Sequence, residues 1–245
     1  MPELPEVERS RRKLEHYLVG KTIATATADD DRKIFQLRPE SRTPASLAAS
    51  LLGQTVTAAE RKGKHVWLVL SRGPCLCFHQ GMTGAFTVLD PDGNVHADEY
   101  KEFKVDAEAW PPRFWKLVLT MDDGTSAAFT NARRFGRIRE SADPASDPSL
   151  PIAKLAPDPL YEMPSRAVFA EKVGARTANI KAFLLDQEKV VCGIGNWIAD
   201  EVRRYWRERW GGVHVERCCA LCECVWYAVE GGWWLCTVVM CVCLC

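Results

Sequence analysis

MPELPEVERSRRKLEHYLVG, residues 1–20, opens the chain, and the fold can be read outward from it. Residues 2–19 read as a helix. Pro5 suits a first helical turn, where no backbone N–H is needed. Glu3, Glu6 and Glu8 complement the positive end of the helix dipole. Leu4, Val7, Leu14 and Leu18 make a broken apolar stripe, and Gly20 is a natural stop. The period then changes. Residues 22–28, 55–59, 65–70, 76–80, 85–89, 114–121 and 127–130 read as short strands. Turn chemistry at Pro91-Asp92-Gly93-Asn94 and Asp122-Asp123-Gly124 separates several of them. Short strands at this spacing predict a sandwich or barrel. Residues 141–164 are rich in Pro, Asp and Ser and read as a linker. Helical signals follow at 165–173, 180–186 and 196–210. In the last, Ile198, Val202, Tyr205 and Trp206 share one face. The expected architecture is α+β. A helix-flanked β-sandwich or barrel domain (1–140) is followed by a linker (141–164), a helical domain (165–210) and an atypical tail (211–245).

Apolar residues make up 47% and charged residues 26% of the 245, which excludes a disordered chain. Lys and Arg number 32, as do Asp and Glu. A zero net charge favours no particular partner, although a neutral total can conceal the basic face that nucleic acid requires. No apolar run reaches bilayer-spanning length. The N-terminus is charged from Glu3 and lacks the apolar segment of a secretory signal. A soluble intracellular protein without a membrane partner is expected. Of the eleven cysteines, only Cys75, Cys77 and Cys192 precede residue 211. A disulfide framework is not expected in that setting.

Met1-Pro2-Glu3 carries the first chemical signal. Removal of Met1 leaves Pro2 with a free secondary amine at a helix start. Such an amine titrates near ~8 in peptides, and the positive helix end lowers it further. It can attack an aldehyde-type sugar carbon and form an iminium. Glu3 and Glu6 lie within one turn and can move protons. On these residues alone the reading as a capped helix is preferred. Further along come Gly63-Lys64, His79-Gln80-Gly81-Met82-Thr83-Gly84 and Asn131-Ala132-Arg133-Arg134-Phe135-Gly136. Later still come Leu155-Ala156-Pro157-Asp158-Pro159-Leu160, Lys181, Leu185-Asp186-Gln187 and Val191-Cys192-Gly193-Ile194-Gly195-Asn196.

Taken in this order, with the opening Met-Pro-Glu-Leu-Pro-Glu-Val-Glu, the motifs resemble the formamidopyrimidine-DNA glycosylase (Fpg/Nei) family over about residues 1–202. The likeness is to a zincless fungal or plant-like type with a truncated or aberrant C-terminus. The resemblance implies a β-rich catalytic domain and a helix–two-turn–helix DNA-binding domain. It implies a base-excision-repair glycosylase and abasic-site lyase that removes oxidised purines (8-oxoguanine, formamidopyrimidines) through a Pro2 Schiff base. Pro2 would be the nucleophile at C1′ and Glu3 the general acid and base. Glu6 would support the site, and Lys64 would contact phosphate beside the lesion. Met82, Arg133 and Phe135 would fill the gap left by the extruded nucleotide, and Lys181 and Asn196 would hold phosphates. The partner would be lesion-bearing double-stranded DNA, bound by a monomer in the nucleus, or alternatively in an organelle or the cytoplasm. An enzyme can reach C1′ only by extruding the nucleotide, and apolar wedges fill such gaps. Without the family frame, Met82 and Phe135 read as core packing, Arg133-Arg134 as a solvated pair and Gly193-x-Gly195 as a tight turn.

The tail departs from the family. Between Gly211 and Cys245 stand eight cysteines, three tryptophans and a single Lys or Arg, Arg217. The tail reads either as a Cys-rich module or as translated intron or shifted-frame sequence joined to a normal body, and the abrupt change in composition favours the second. Cys219-Ala220-Leu221-Cys222 makes one Cys-x-x-Cys unit without a second of that spacing, so no metal or other cofactor is expected. Two other readings stand beside the enzyme. One is a damaged-DNA-binding remnant with little catalysis. The other is an unrelated β-rich interaction protein whose Lys64, Arg133 and Lys181 would be scattered.

Overall fold

The structure is a computed structural model, and it describes residues 2–97, 109–174 and 180–210. The tail, with eight of the cysteines and the Cys219/Cys222 unit, lies outside the described residues, as do the side chains of Tyr205 and Trp206. Two compact units emerge. The first comprises Met1–Pro2, Val7–Arg61 and His65–Leu150. The second comprises Glu3–Glu6, Lys62–Lys64 and the chain from Pro151 onward.

In chain order the elements of the β-rich part are α1 (Leu4–Leu18), β1 (Ile23–Ala28), α2 (Pro44–Leu51), β2 (Val56–Lys62), β3 (His65–Leu70) and β4 (Cys75–His79). Then come β5 (Gly84–Leu89), β6 (Val95–His96), β7 (Trp115–Met121), β8 (Ser126–Asn131) and β9 (Arg137–Ser141). The strands form two antiparallel sheets, ordered β1-β7-β8-β5-β6 and β2-β3-β4-β9. The core draws on both sheets and both helices. Val7, Leu14 and Leu18 of α1 and Leu47 and Leu51 of α2 join Leu68, Leu76, Leu117, Leu119 and Ile138. Phe78, Phe86 and Phe129 meet with ring centroids 5.0–5.3 Å apart. The α+β class and the double-sheet architecture agree with the expectation from sequence.

In the β-rich part, α2, the two-residue strand β6 and β9 were not foreseen. Helix α2 has a sharp start. The Thr43 hydroxyl accepts from Ser46 N at 3.1 Å, Ser46 Oγ accepts from Thr43 N at 2.9 Å, and Pro44 occupies the first turn. This reciprocal cap satisfies two backbone donors that the helix cannot. Strand β9 pairs with β4 in the register Phe78↔Ile138, which buries Ile138 completely.

A buried ion cluster ties α1 to β2 within the first unit. Glu8 is 1% exposed and Arg61 7%, and Arg61 Nε donates to Glu8 Oε2 at 2.8 Å. Arg11 and Arg12 also donate to this carboxylate. Burial alone would raise the Glu8 pKa, but the hydrogen bonds from Arg11, Arg61 and Arg12 outweigh it and hold the group at about 2.

The second unit is helical. A 3-10 turn (Pro151–Lys154) precedes α3 (Arg166–Gly174), α4 (Ile180–Leu185) and α5 (Asn196–Trp210). The segment expected as a linker thus carries buried groups of its own, Ile152 at 1% and Asp158 at 2% exposure. Between α4 and α5 the chain makes two turns. The first is fixed by Glu188 N donating to Asp186 Oδ1, and the second passes through Gly193 at φ +92. Phe183, Leu184, Val191, Ile194 and Ile198 bury this helix–turn–turn–helix element.

Candidate active site

The first turn of α1, the Gly63-Lys64 turn and the start of α5 share the second unit, and their contacts build a site from backbone amides. Glu3 is 2% exposed. Its carboxylate accepts three N–H donors at the N-terminus of α5: Gly195 at 2.9 Å, Trp197 at 2.8 Å and Ile198 at 3.1 Å. These are donors that no helix can satisfy internally, and the helix dipole favours an anion there. Glu6 Oε2 accepts from Glu3 N at 2.9 Å, so the second acid fixes the backbone of the first. Leu4 N donates to Gly193 O at 3.1 Å.

The glycines of this turn are required by close approach. A Cβ on Gly195 would stand 2.3 Å from the Glu3 carboxylate, and one on Gly193 would stand 2.6 Å from Leu4. Gly193-x-Gly195, a mere tight turn when read alone, makes room for the first turn of α1.

Lys64 completes the group. Its ammonium donates to Ile194 O at 2.7 Å. Burial pushes its pKa down, opposed by the charges of Glu3, Cys192 and Glu6. Two residues without an assigned role support it. Asp158 Oδ2 accepts from Gly63 N at 2.7 Å and so holds the turn that presents Lys64. Gln187 accepts from Gly193 N at 2.8 Å and donates to Ile194 O at 2.9 Å, bracing the glycine turn from both sides. Both lie inside quoted motifs. For Asp158 the available signal was a polar side chain among apolar neighbours, which must find partners once buried. Gln187 stands between Asp186 and Glu188 and carried no such signal.

Pro2, which immediately precedes Glu3, is buried. Asn196 is the exposed first residue of α5. Lys181 forms an ion pair with Asp200 of α5, at 2.7 and 2.8 Å to the two oxygens, so a phosphate there would have to displace a carboxylate.

The other expected residues lie in the first unit, where two loops meet. Gly81 backs onto the Phe135 backbone so closely that a Cβ would stand 2.5 Å from its carbonyl carbon. Arg133 N donates to Thr83 Oγ1 at 3.3 Å. Buried Asn131 staples the pair: its amide donates to Gln80 O at 2.9 Å and accepts from Gly136 N at 3.1 Å. An amide can fill both roles at once, since its oxygen accepts and its nitrogen donates. Met82, Arg133 and Phe135 all project to solvent, with Met82 37% and Phe135 44% exposed. Core packing is thereby excluded for both apolar side chains. Arg133 and Arg134 diverge. Arg134, at φ +55, forks onto Asp31 at 2.7 and 2.8 Å. Asp31 is 6% exposed and also holds Lys116 at 3.1 Å. Hydrogen bonds from Arg134, then Lys116, keep its carboxyl well below the usual range against the opposing effect of burial.

Among the described residues no group of three or more His, Cys, Asp or Glu side chains could hold a metal ion, and no helix is long and apolar enough to cross a membrane. Cys75, Cys77 and Cys192 are buried thiols outside any disulfide.

Residues 1–138 match the family model of the formamidopyrimidine-DNA glycosylase N-terminal domain, and residues 155–219 that of the H2TH domain. The second match runs past residue 202, where the likeness read from the sequence ends. A protein named formamidopyrimidine-DNA glycosylase from Arabidopsis thaliana is 41% identical over 203 residues, 82% of this chain and 49% of that protein. One of the same name from a Nocardioides species is 38% identical over 218 residues, 89% of this chain and 66% of that one. The chain thus spans about half the length of the first relative and just under two thirds of the second. A solved complex between the Lactococcus lactis Fpg and DNA containing an abasic site superposes with a TM-score of 0.69 at 23% identity, over 95% of this chain and 79% of that one. This likeness establishes the shared fold.

Proposed function

This chain belongs to the formamidopyrimidine-DNA glycosylase family, and from that premise we propose that it is a DNA glycosylase with abasic-site lyase activity on duplex DNA bearing oxidised purines. The observation that carries the reading is the Glu3 carboxylate, fixed by three amides directly after the residue whose amine would attack. Once Met1 is removed, the Pro2 nitrogen attacks C1′ of an extruded nucleotide. The bond to the base breaks, its electron pair leaves with the base, and the base takes up a proton. The nitrogen then gives up its proton, its lone pair forms the iminium as the C1′–O4′ bond breaks, and O4′ takes up a proton. Glu3 moves the protons of ring opening and strand cleavage, a role that benefits from a carboxylate that need not reorganise. Lys64 supplies a point charge for the phosphate beside the lesion. Met82, Arg133 and Phe135, all exposed on adjoining loops, enter the stack where the nucleotide has left. The chemistry runs on side chains and one amine, without metal or cofactor. Family membership removes the reading as an unrelated interaction protein.

Borohydride trapping tests this function. Protein confirmed by N-terminal sequencing to begin at Pro2 is mixed with a duplex holding one abasic site, with Pro2→Gly as the control. A covalent adduct that disappears in the control establishes the iminium. Binding without an adduct would leave a lesion-DNA binder and overturn the enzymatic reading.

A further inference from the structure

Phe135 has two cations on its ring rather than one. Arg133 Cζ and Lys33 Nζ each lie 5.5 Å from the ring centroid. Arg133 comes from the same loop. Lys33 comes from the segment between β1 and α2, a hundred residues earlier, and no motif in the sequence draws attention to it.

Its position is built into the fold. Lys33 N donates to Asp31 Oδ1 at 3.1 Å, and Ile34 N and Phe35 N donate to Asp31 O at 2.9 and 3.0 Å. Ile34 and Phe35 are buried at 0% and 4% exposure, and Ile34 O accepts from Ile138 N at 2.8 Å. The Asp31 carboxylate clamps Arg134 of the Phe135 loop. One buried acid therefore fixes both the turn that bears Lys33 and the loop that bears Phe135. It also takes Arg134 out of play, which leaves Lys33 and Arg133 as the two cations at the exposed ring. An aromatic wedge between base steps has a phosphate backbone on either side of it, and a cation on a pre-set turn meets phosphate with little ordering cost.

We propose that Lys33 is a DNA-backbone contact, binding a phosphate beside the point where Phe135 enters the duplex. The inference rests on the glycosylase reading, through the role of Phe135. It assigns the segment between β1 and α2 to the DNA-binding surface.

The test is the salt dependence of binding to a duplex with a tetrahydrofuran abasic analogue, compared with an unmodified duplex, across a KCl series. Each phosphate neutralised adds about 0.9 to the slope of log affinity against log salt. Lys33→Ala should reduce that slope by about one and weaken binding several-fold at low salt, while Lys33→Arg should restore both. Weaker binding with an unchanged slope would mean that Lys33 only steadies the Phe135 ring, and would overturn the inference alone. A wild-type protein with no preference for the analogue would overturn the glycosylase reading and this inference with it.

Discussion

Glu3 does two jobs with one carboxylate. It caps α5 through three amides and, in the proposed reaction, moves protons next to Pro2. Glu3→Gln keeps the volume but turns an amide N–H₂ toward backbone donors. Turnover of an abasic duplex should fall about 10²–10⁴-fold, the range of general acid–base catalysis, as read by single-turnover strand cleavage. Unfolding free energy should fall by about 1–2 kcal/mol in urea titration, because α5 loses an anionic partner. Gly195→Ala separates position from chemistry. Its Cβ would stand 2.3 Å from the carboxylate, so Glu3 must leave its seat although no titratable group has changed. Cleavage should fall toward the Glu3→Gln level. Unchanged cleavage in Gly195→Ala would mean that the seat of Glu3 is unrelated to the reaction.

The elements divide by where their information lies. Helix α1 was legible from its acidic start, apolar stripe and terminal Gly20, and β3, β5 and α5 from period alone. Helix α2 was passed over although Thr43-Pro44-Ala45-Ser46 holds a cap, since Ser at the third helical position stands where Glu or Gln is the usual signal. Thr43→Ala should cost about 1 kcal/mol in chemical denaturation, the usual worth of a cap. A change below a few tenths would show that burial of Leu47 and Leu51 alone holds the helix. Strand β9 was missed for another reason. Five residues with one fully buried apolar position, Ile138, carry too little alternation to be read, and pairing with β4 decides the conformation.

For the whole molecule, the zero net charge conceals how the charges are partnered. Glu8 serves Arg11, Arg12 and Arg61, and Asp31 serves Lys116 and Arg134. Acids spent in this way leave Lys33 and Arg133 standing at an exposed ring. The Glu8 cluster also sets a pH dependence. With a folded pKa of about 2 against an ordinary value of 4.5, the folded state binds this proton more weakly than the unfolded chain. Its contribution is therefore complete above about 4.5 and is lost as pH falls toward about 2. Glu8→Gln leaves Arg61 buried without its counter-charge and should destabilise by about 3–5 kcal/mol at neutral pH. The variant should also lose this part of the acid-induced fall in urea midpoint. A wild type and variant with parallel midpoints between pH 5 and pH 2 would contradict this account. The sequence alone determined the class of fold, the family and the candidate nucleophile with its acids, because periodicity and ordered motifs are local and survive without contacts. Tertiary structure alone decided the seat of Glu3 on α5, the bracing by Asp158 and Gln187, and the pairing of Lys33 with Phe135. Each joins residues far apart in the chain, and the partner of a buried polar group is chosen by proximity in space, which no local pattern encodes.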